Sequence, residues 1–175
     1  KNEAKLSEFT EEPLIEKLGK IGEVFKQNNQ VLVQVVKEPI STKGPRLSCE
    51  LSLAGRYIVL VPFSNAINVS KKLPDQAERK RLTRLISSIK PDGFGVIIRT
   101  VAEGKDVAEL DKDLRGLLQI WNEGIKKLTR AKPKQKIIGE MSKATSMLRD
   151  MLNESFDSIT VDDKETFEDI RNFIR

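Results

Sequence analysis

Apolar residues recur along this chain with two different periods. Leu47, Cys49, Leu51 and Leu53 alternate with Ser48, Glu50 and Ser52, the period of a half-buried strand. Ala54-Gly55 interrupts the alternation, and Tyr57 to Val61 resumes as a more fully buried strand. A Gly inside such a pattern marks a bulge or a close backbone approach. Upstream, the Val-dense run Val31 to Val36 predicts another strand. The Pro, Ser, Thr, Lys and Gly cluster from Pro39 to Pro45 predicts the loop between them. In this reading Cys49 points inward with Leu51 and Leu53 and is buried and inert.

The second period is helical. Asp75 and Gln76 open a segment with Leu82, Leu85, Ile86 and Ile89 at i, i+3, i+4 and i+7, while Arg79, Lys80, Arg81 and Arg84 occupy its other face. Pro91-Asp92-Gly93 ends it and leads into a strand from Phe94 to Thr100. Gly104 closes the next loop, and Asp106 caps a long helix striped with Val107, Leu110, Leu114, Leu117, Leu118, Trp121, Ile125 and Leu128. Pro133 follows as a stop. Trp121 lies in this stripe and is expected to pack. A further helix is expected from Ser142 to Phe156, packing Met147, Leu148, Met151 and Leu152, then a short strand from Ile159 to Val161. Asp162 or Asp163 caps a last helix with Phe167, Ile170, Phe173 and Ile174 inward. Near the start, Thr10 to Pro13 resembles a helix N-terminus feeding Leu14, Ile15 and Leu18. The predicted fold is mixed α+β: a small sheet with packed helices, preceded by strands of a partial, separate β-barrel.

Composition narrows the chemistry. The longest apolar run, Tyr57 to Phe63, is far short of the ~20 residues that span a bilayer. With no histidine and one cysteine among 175 residues, Ser-His-Asp and Cys-His catalysis are excluded, as are an internal disulfide and a structural zinc site. The single thiol suits a reducing cytoplasm. Lys1 is not an initiator Met, its neighbourhood is unlike a secretory signal, and Arg175 falls within an amphipathic pattern. Both ends are therefore expected to be cuts in a longer chain. The net charge of +5 is concentrated: residues 37–100 hold twelve Lys or Arg against five acids, whereas the flanking thirds each sum to -1. Such a field draws polyanions, although a solvated charged face has the same composition.

The most informative segment for function runs from Ile97 to Lys105. An apolar strand ends in Arg99 and Thr100, then meets a Gly-containing loop and a helix N-terminus. Free amides there favour anions, and a guanidinium matches two phosphate oxygens at once. A strand-end Arg also commonly pairs with a nearby carboxylate, so both readings stand. Gly55 could let a ligand approach the backbone near Val59, whose amide could donate, or could simply be a bulge. Lys37, Lys43 and Arg46 surround the 39–45 loop and suit contacts with a single strand's backbone, or solvation alone. Stacking aromatics are scarce, at 5%. Asp111 with Asp113, and Asp162 with Asp163, do not make a two-metal site, because residues two apart on a helix do not share a face and adjacent acids before one are capping residues.

The run from Val31 to Gly44 resembles the ribonuclease E/G family, as do Leu51 to Pro62, Ser70-Lys71-Lys72, Gly93-Phe94-Gly95 and Arg99-Thr100, all in family order. The resemblance covers residues 21–130 closely and 137–175 more loosely. Residues 1–20 match nothing in the family and are expected to be a polar lead-in; the resemblance implies the end of an OB-type RNA-binding barrel at 21–54 and a 5′-sensor domain at 55–140. A connecting helix and the start of an RNase H-like region would occupy 141–175. It further implies a cytoplasmic, single-strand-specific endoribonuclease of mRNA decay and rRNA processing, homo-oligomeric at full length. The expected partner is single-stranded RNA with a 5′-monophosphate, gripped by Arg99, Thr100, Val59 and Gly55, with Lys37 and Lys43 on the RNA strand. The family's magnesium-binding aspartates and zinc-binding cysteines match nothing in this sequence. No cofactor and no cleavage are therefore expected of this piece itself. An RNA-binding module indifferent to the 5′ end and a protein-interaction domain remain the alternatives.

Overall fold

In the computed structural model, residues 20–139, 141–152 and 155–174 are described; the helix expected near Thr10 to Leu18 lies outside them. After a single helical turn, α1 (Ile21–Val24), two strands form a small antiparallel sheet, β1 (Gln34–Lys37) and β2 (Arg46–Ser48). A four-stranded sheet follows, made of β3 (Leu53–Ala54), β4 (Ile58–Pro62), β5 (Ile67–Val69) and β6 (Phe94–Ile98) in the order β3-β4-β6-β5. Its helices are α2 (Gln76–Ile89) and α3 (Val107–Leu128), and α4 (Lys143–Met151) and α5 (Lys164–Ile174) complete the chain. The fold is α+β as expected, with two small sheets and no closed barrel among the described residues.

β4 and β6 are the sheet's centre because their apolar runs can be covered by helices. They pair antiparallel over five residues, from Ile58 opposite Ile98 to Pro62 opposite Phe94. In β4, Ile58, Leu60 and Pro62 face inward while Val59 and Val61 are half-buried, the alternation a pleated strand imposes. Leu82 and Ile86 of α2 and Leu110, Leu114, Leu117 and Trp121 of α3 close the core, each large side chain contributing about 1.5–3 kcal/mol by its burial. Phe63 and Phe94 meet Trp121 edge-on, with centroids 5.7 and 6.2 Å away. Both helix starts are capped as read. The Asp75 carboxylate accepts the Ala77 amide at 2.8 Å, and Asp106 forms a capping box with Glu109.

Several expectations are corrected. Cys49 is exposed, not buried: the chain bends at Cys49-Glu50, where the Glu50 amide donates to Ser48 Oγ, and the alternation from Leu47 to Leu53 is broken in two. Leu53 and Ala54, grouped by sequence with the preceding strands, pair with β4 instead. Among the described residues no second layer covers the smaller sheet, and Val35, Val36 and Leu47 are exposed. It is tied to the larger one by Gln34, whose side-chain amide takes the Ser52 N–H at 2.8 Å and donates to the Ser52 carbonyl at 3.2 Å. Val107, Met147, Met151, Phe167 and Ile174, all read as inward, are exposed instead. Residues 159–161 form no strand, and the helix expected to reach Phe156 stops at Met151. β5 went unforeseen; at three residues it is too short to show a period. β6 ends at Ile98, leaving Arg99 as the cap of a 3-10 turn, Thr100–Ala102.

Candidate functional site

The site is built around a turn that the β-ladder alone does not hold. The Gly55 amide donates to the Ile58 carbonyl at 2.8 Å. The amides of Arg56, Tyr57 and Ile58 then all donate to one carboxylate, that of Asp113 on α3, at 3.0, 2.8 and 3.1 Å. A Cβ on Gly55 would fall 2.6–2.8 Å from the Asp113 carboxylate. The close approach anticipated at Gly55 is thus made by the protein's own aspartate. Its partner on the helix, Asp111, faces elsewhere and pairs with Arg115 at 2.6 Å.

Because the Ile58 amide turns to Asp113, the Gly55 carbonyl lacks its reciprocal ladder donor. Arg99 supplies one. Its Nη1 donates to the carbonyls of Gly55 at 2.8 Å and Arg56 at 3.1 Å, while its amide donates to the Tyr57 carbonyl at 2.8 Å. The third acceptor at Nη1 is the Asp150 carboxylate of α4, 2.8 Å away. The ion-pair reading of this strand-end Arg therefore describes part of what is observed. The pair is accessible to water, at 26% and 39% side-chain exposure, and open pairs of this kind are worth only about 0–1 kcal/mol. An anion with better geometry can compete for it. Nε and Nη2 of Arg99 and the Thr100 hydroxyl have no protein partner among the described residues.

Two further arginines complete the cluster. Arg149 donates to Asp150 at 3.0 Å and to the Ala54 carbonyl at 3.0 Å, and Arg56 donates to the Leu152 carbonyl. The Arg99 guanidinium, and next that of Arg149, hold the Asp150 carboxyl well below the usual carboxylate range. Two guanidiniums, those of Arg99 and Arg149, meet this single carboxylate; with Arg56 and Asp113 on the same turn, three positive charges stand against two negative ones at the strand end. Arg56, Arg149 and Asp150 escaped the sequence reading, and Asp113 entered it only as half of a rejected metal pair. The only signal was their charge, which does not report a partner tens of residues away.

The loop after Thr100 is pinned separately. Glu78 of α2 grips Arg81 at 2.6 and 2.7 Å and accepts the Gly104 amide at 2.8 Å. The Arg81 bond first, and the Gly104 amide next, lower its pKa to about 2. Val59 is placed differently from its proposed role as a donor. The Arg99–Tyr57 bond sets the ladder's phase, and two residues on it pairs Val59 with Ile97, so the Val59 amide is spent within the sheet. Lys37, on β1, and Lys43, in the loop that joins it to β2, are exposed, and neither is among Arg99's contacts. Lys37 lies opposite Arg46, and Lys43 closes a bridge with Ile40. Like charges paired across strands repel, and an anion between them relieves that. Asp163 caps α5 by accepting the Thr166 amide at 2.8 Å.

The residues present do not fit the magnesium or zinc that the resemblance attaches to the full-length family. The sequence has no histidine and one cysteine, and among the described residues no three His, Cys, Asp or Glu side chains gather as a metal site. Nor is any described helix long and apolar enough to cross a membrane.

The sequence model described as "Ribonuclease E/G family" matches residues 52–175. Ribonuclease G of Escherichia coli is 35% identical over 153 residues, covering 87% of this chain and 31% of that protein. Ribonuclease E of a Nostoc species is 34% identical over 155 residues, covering 89% and 23%. The chain thus spans about a third or less of these curated relatives. A solved structure of a Staphylococcus aureus RNase P protein mutant with defective mRNA degradation activity overlays at a TM-score of 0.33. It is 22% identical and covers 41% of this chain and 75% of that one, a likeness too slight to bear on the fold.

Proposed function

Since this chain belongs to the ribonuclease E/G family, we propose that it is the part of a single-strand-specific endoribonuclease that holds RNA and reads a 5′-monophosphate. Cleavage, with its metal requirement, is then the work of other parts of a longer, cytoplasmic, oligomeric enzyme of RNA decay and processing. One observation carries this reading: Nη1 of Arg99 is anchored on the Gly55 and Arg56 carbonyls and on Asp150, while its Nε and Nη2 and the hydroxyl of the next residue, Thr100, have no protein partner among the described residues. An arginine whose rotamer is already fixed loses little entropy on gripping a phosphate. Gly55 serves through its carbonyl and through the missing Cβ that lets Asp113 hold the turn, and Val59 forms the adjoining strand. Lys37 and Lys43, with Arg46, contact the strand's backbone phosphates.

The test compares one short RNA carrying a 5′-monophosphate, a 5′-hydroxyl or a 5′-triphosphate, by fluorescence anisotropy. The monophosphate should bind best, and Arg99→Ala should erase its advantage, about ten- to a hundredfold for charge-assisted bonds of about 1.5–3 kcal/mol. Equal binding of all three ends with steep salt dependence would instead mark a module indifferent to the 5′ end. Failure to bind RNA at low salt would mark a protein-interaction domain.

A further inference from the structure

We propose that the groove between the edge strand β5 and helix α2 is a second RNA-binding surface, a track for the backbone of the strand whose 5′ end sits at Arg99. The proposal rests on the reading of this chain as an RNA binder, but on separate residues. The groove has a volume of about 590 Å³, and its lining includes Asn68, Lys71, Gln76, Lys80, Thr83 and Arg84 and no acid. Lys71, Lys80 and Arg84 are exposed and make no ion pair or hydrogen bond among the described residues. They contrast with the cations around them. Arg81 is held by Glu78, and Arg79, half-buried, donates to the carbonyls of Val69, Ser70 and Leu73. Three uncompensated cations in one concave, acid-free surface fit a polyanion.

Topology sets the direction of the track. β5 and β6 are parallel, with Val69 opposite Ile98, and the Ser70 amide donates to the Ile98 carbonyl at 2.9 Å. Ser70-Lys71-Lys72 and Arg99-Thr100 therefore leave the sheet at the same end. From there α2 returns alongside β5, carrying Lys80 and Arg84 one helical turn apart, about 6 Å along the axis and on the scale of one nucleotide. β5 is a sheet edge, and the Val69 carbonyl on its outer side already accepts from Arg79 Nη2. The outward amides of Ile67 and Val69 add neutral donors to the track. No aromatic side chain lines the groove, so recognition is of phosphate and sugar and is indifferent to base.

The variant Lys71→Ala/Lys80→Ala/Arg84→Ala changes only exposed side chains; circular dichroism and thermal unfolding should match wild type. Anisotropy titrations use a 5′-monophosphorylated trinucleotide and a 5′-monophosphorylated dodecamer on both proteins. Three lost phosphate contacts flatten the salt slope for the dodecamer by about 2. Between about 50 and 200 mM salt the wild type should then lose about 20-fold more affinity than the variant. The trinucleotide and its 5′-end preference should be unaffected. An unchanged dodecamer slope would overturn the proposal, as would equal, equally salt-sensitive binding of an acidic peptide in place of the dodecamer. Arg99→Ala separates the two ideas: if it leaves the end preference intact while the triple variant still flattens the dodecamer slope, the sensor reading fails and the track stands.

Discussion

Replacing Asp113 tests the joint on which the candidate site is mounted. Its carboxylate takes the amides of Arg56, Tyr57 and Ile58 at 2.8–3.1 Å. Each bond to a charged acceptor contributes about 1.5–3 kcal/mol in isolation, but three sharing one half-buried carboxylate are not additive. Asp113→Ala should therefore cost about 3–4 kcal/mol, or about 6–16 °C in Tm for a chain of this size. Gly55→Ala drives a Cβ to 2.6 Å from the same carboxylate, an overpacking worth about 1–3 kcal/mol. The backbone at Gly55 is not in the left-handed region, so Ala there is penalised only by the clash. Once Asp113 is Ala the clash disappears, and Gly55→Ala should become neutral or stabilising by up to about 1 kcal/mol. Urea unfolding of the four proteins, followed by Trp121 fluorescence and circular dichroism, closes the cycle. The expected coupling is about 2 kcal/mol. Effects that add to within about 0.5 kcal/mol would refute the claim that Gly55 exists to admit Asp113.

Glu78 makes stability acid-sensitive. Its folded pKa, about 2, lies below its ordinary 4.5, so its contribution is complete above about 4.5 and fades as pH falls towards about 2. Glu78→Gln should lower stability at neutral pH and flatten the pH–Tm profile in that window. Asp150→Asn should weaken the docking of α4, speeding hydrogen exchange in Lys143–Met151 while α2 and α3 keep wild-type protection; acceleration throughout the sheet would contradict the assignment. Cys49, being exposed, should react with a water-soluble maleimide in the native protein as fast as after unfolding. Strong native protection would restore the buried reading.

Much of the scaffold could be read directly. α2 and α3 announce themselves through long apolar stripes and through Asp75 and Asp106 at their starts, because a helix is decided by contacts three and four residues apart and by its own caps. β4 and β6 follow from apolar runs between turn residues. The candidate chemistry was legible only in part. Arg99 and Thr100 stand out at a strand's end, and positive charge is dense in the middle of the chain.

Tertiary structure alone decided what those residues touch. Asp113 reaches a turn more than fifty positions away, and Asp150 meets Arg99 at a separation of 51. No local pattern encodes such pairs, because their energies arise only after α3 and α4 are docked. Burial was decided in the same way. Val35, Leu47, Met147 and Phe167 have the spacing of inward residues yet face solvent, since periodicity says which face of an element is apolar but not whether another layer arrives to cover it.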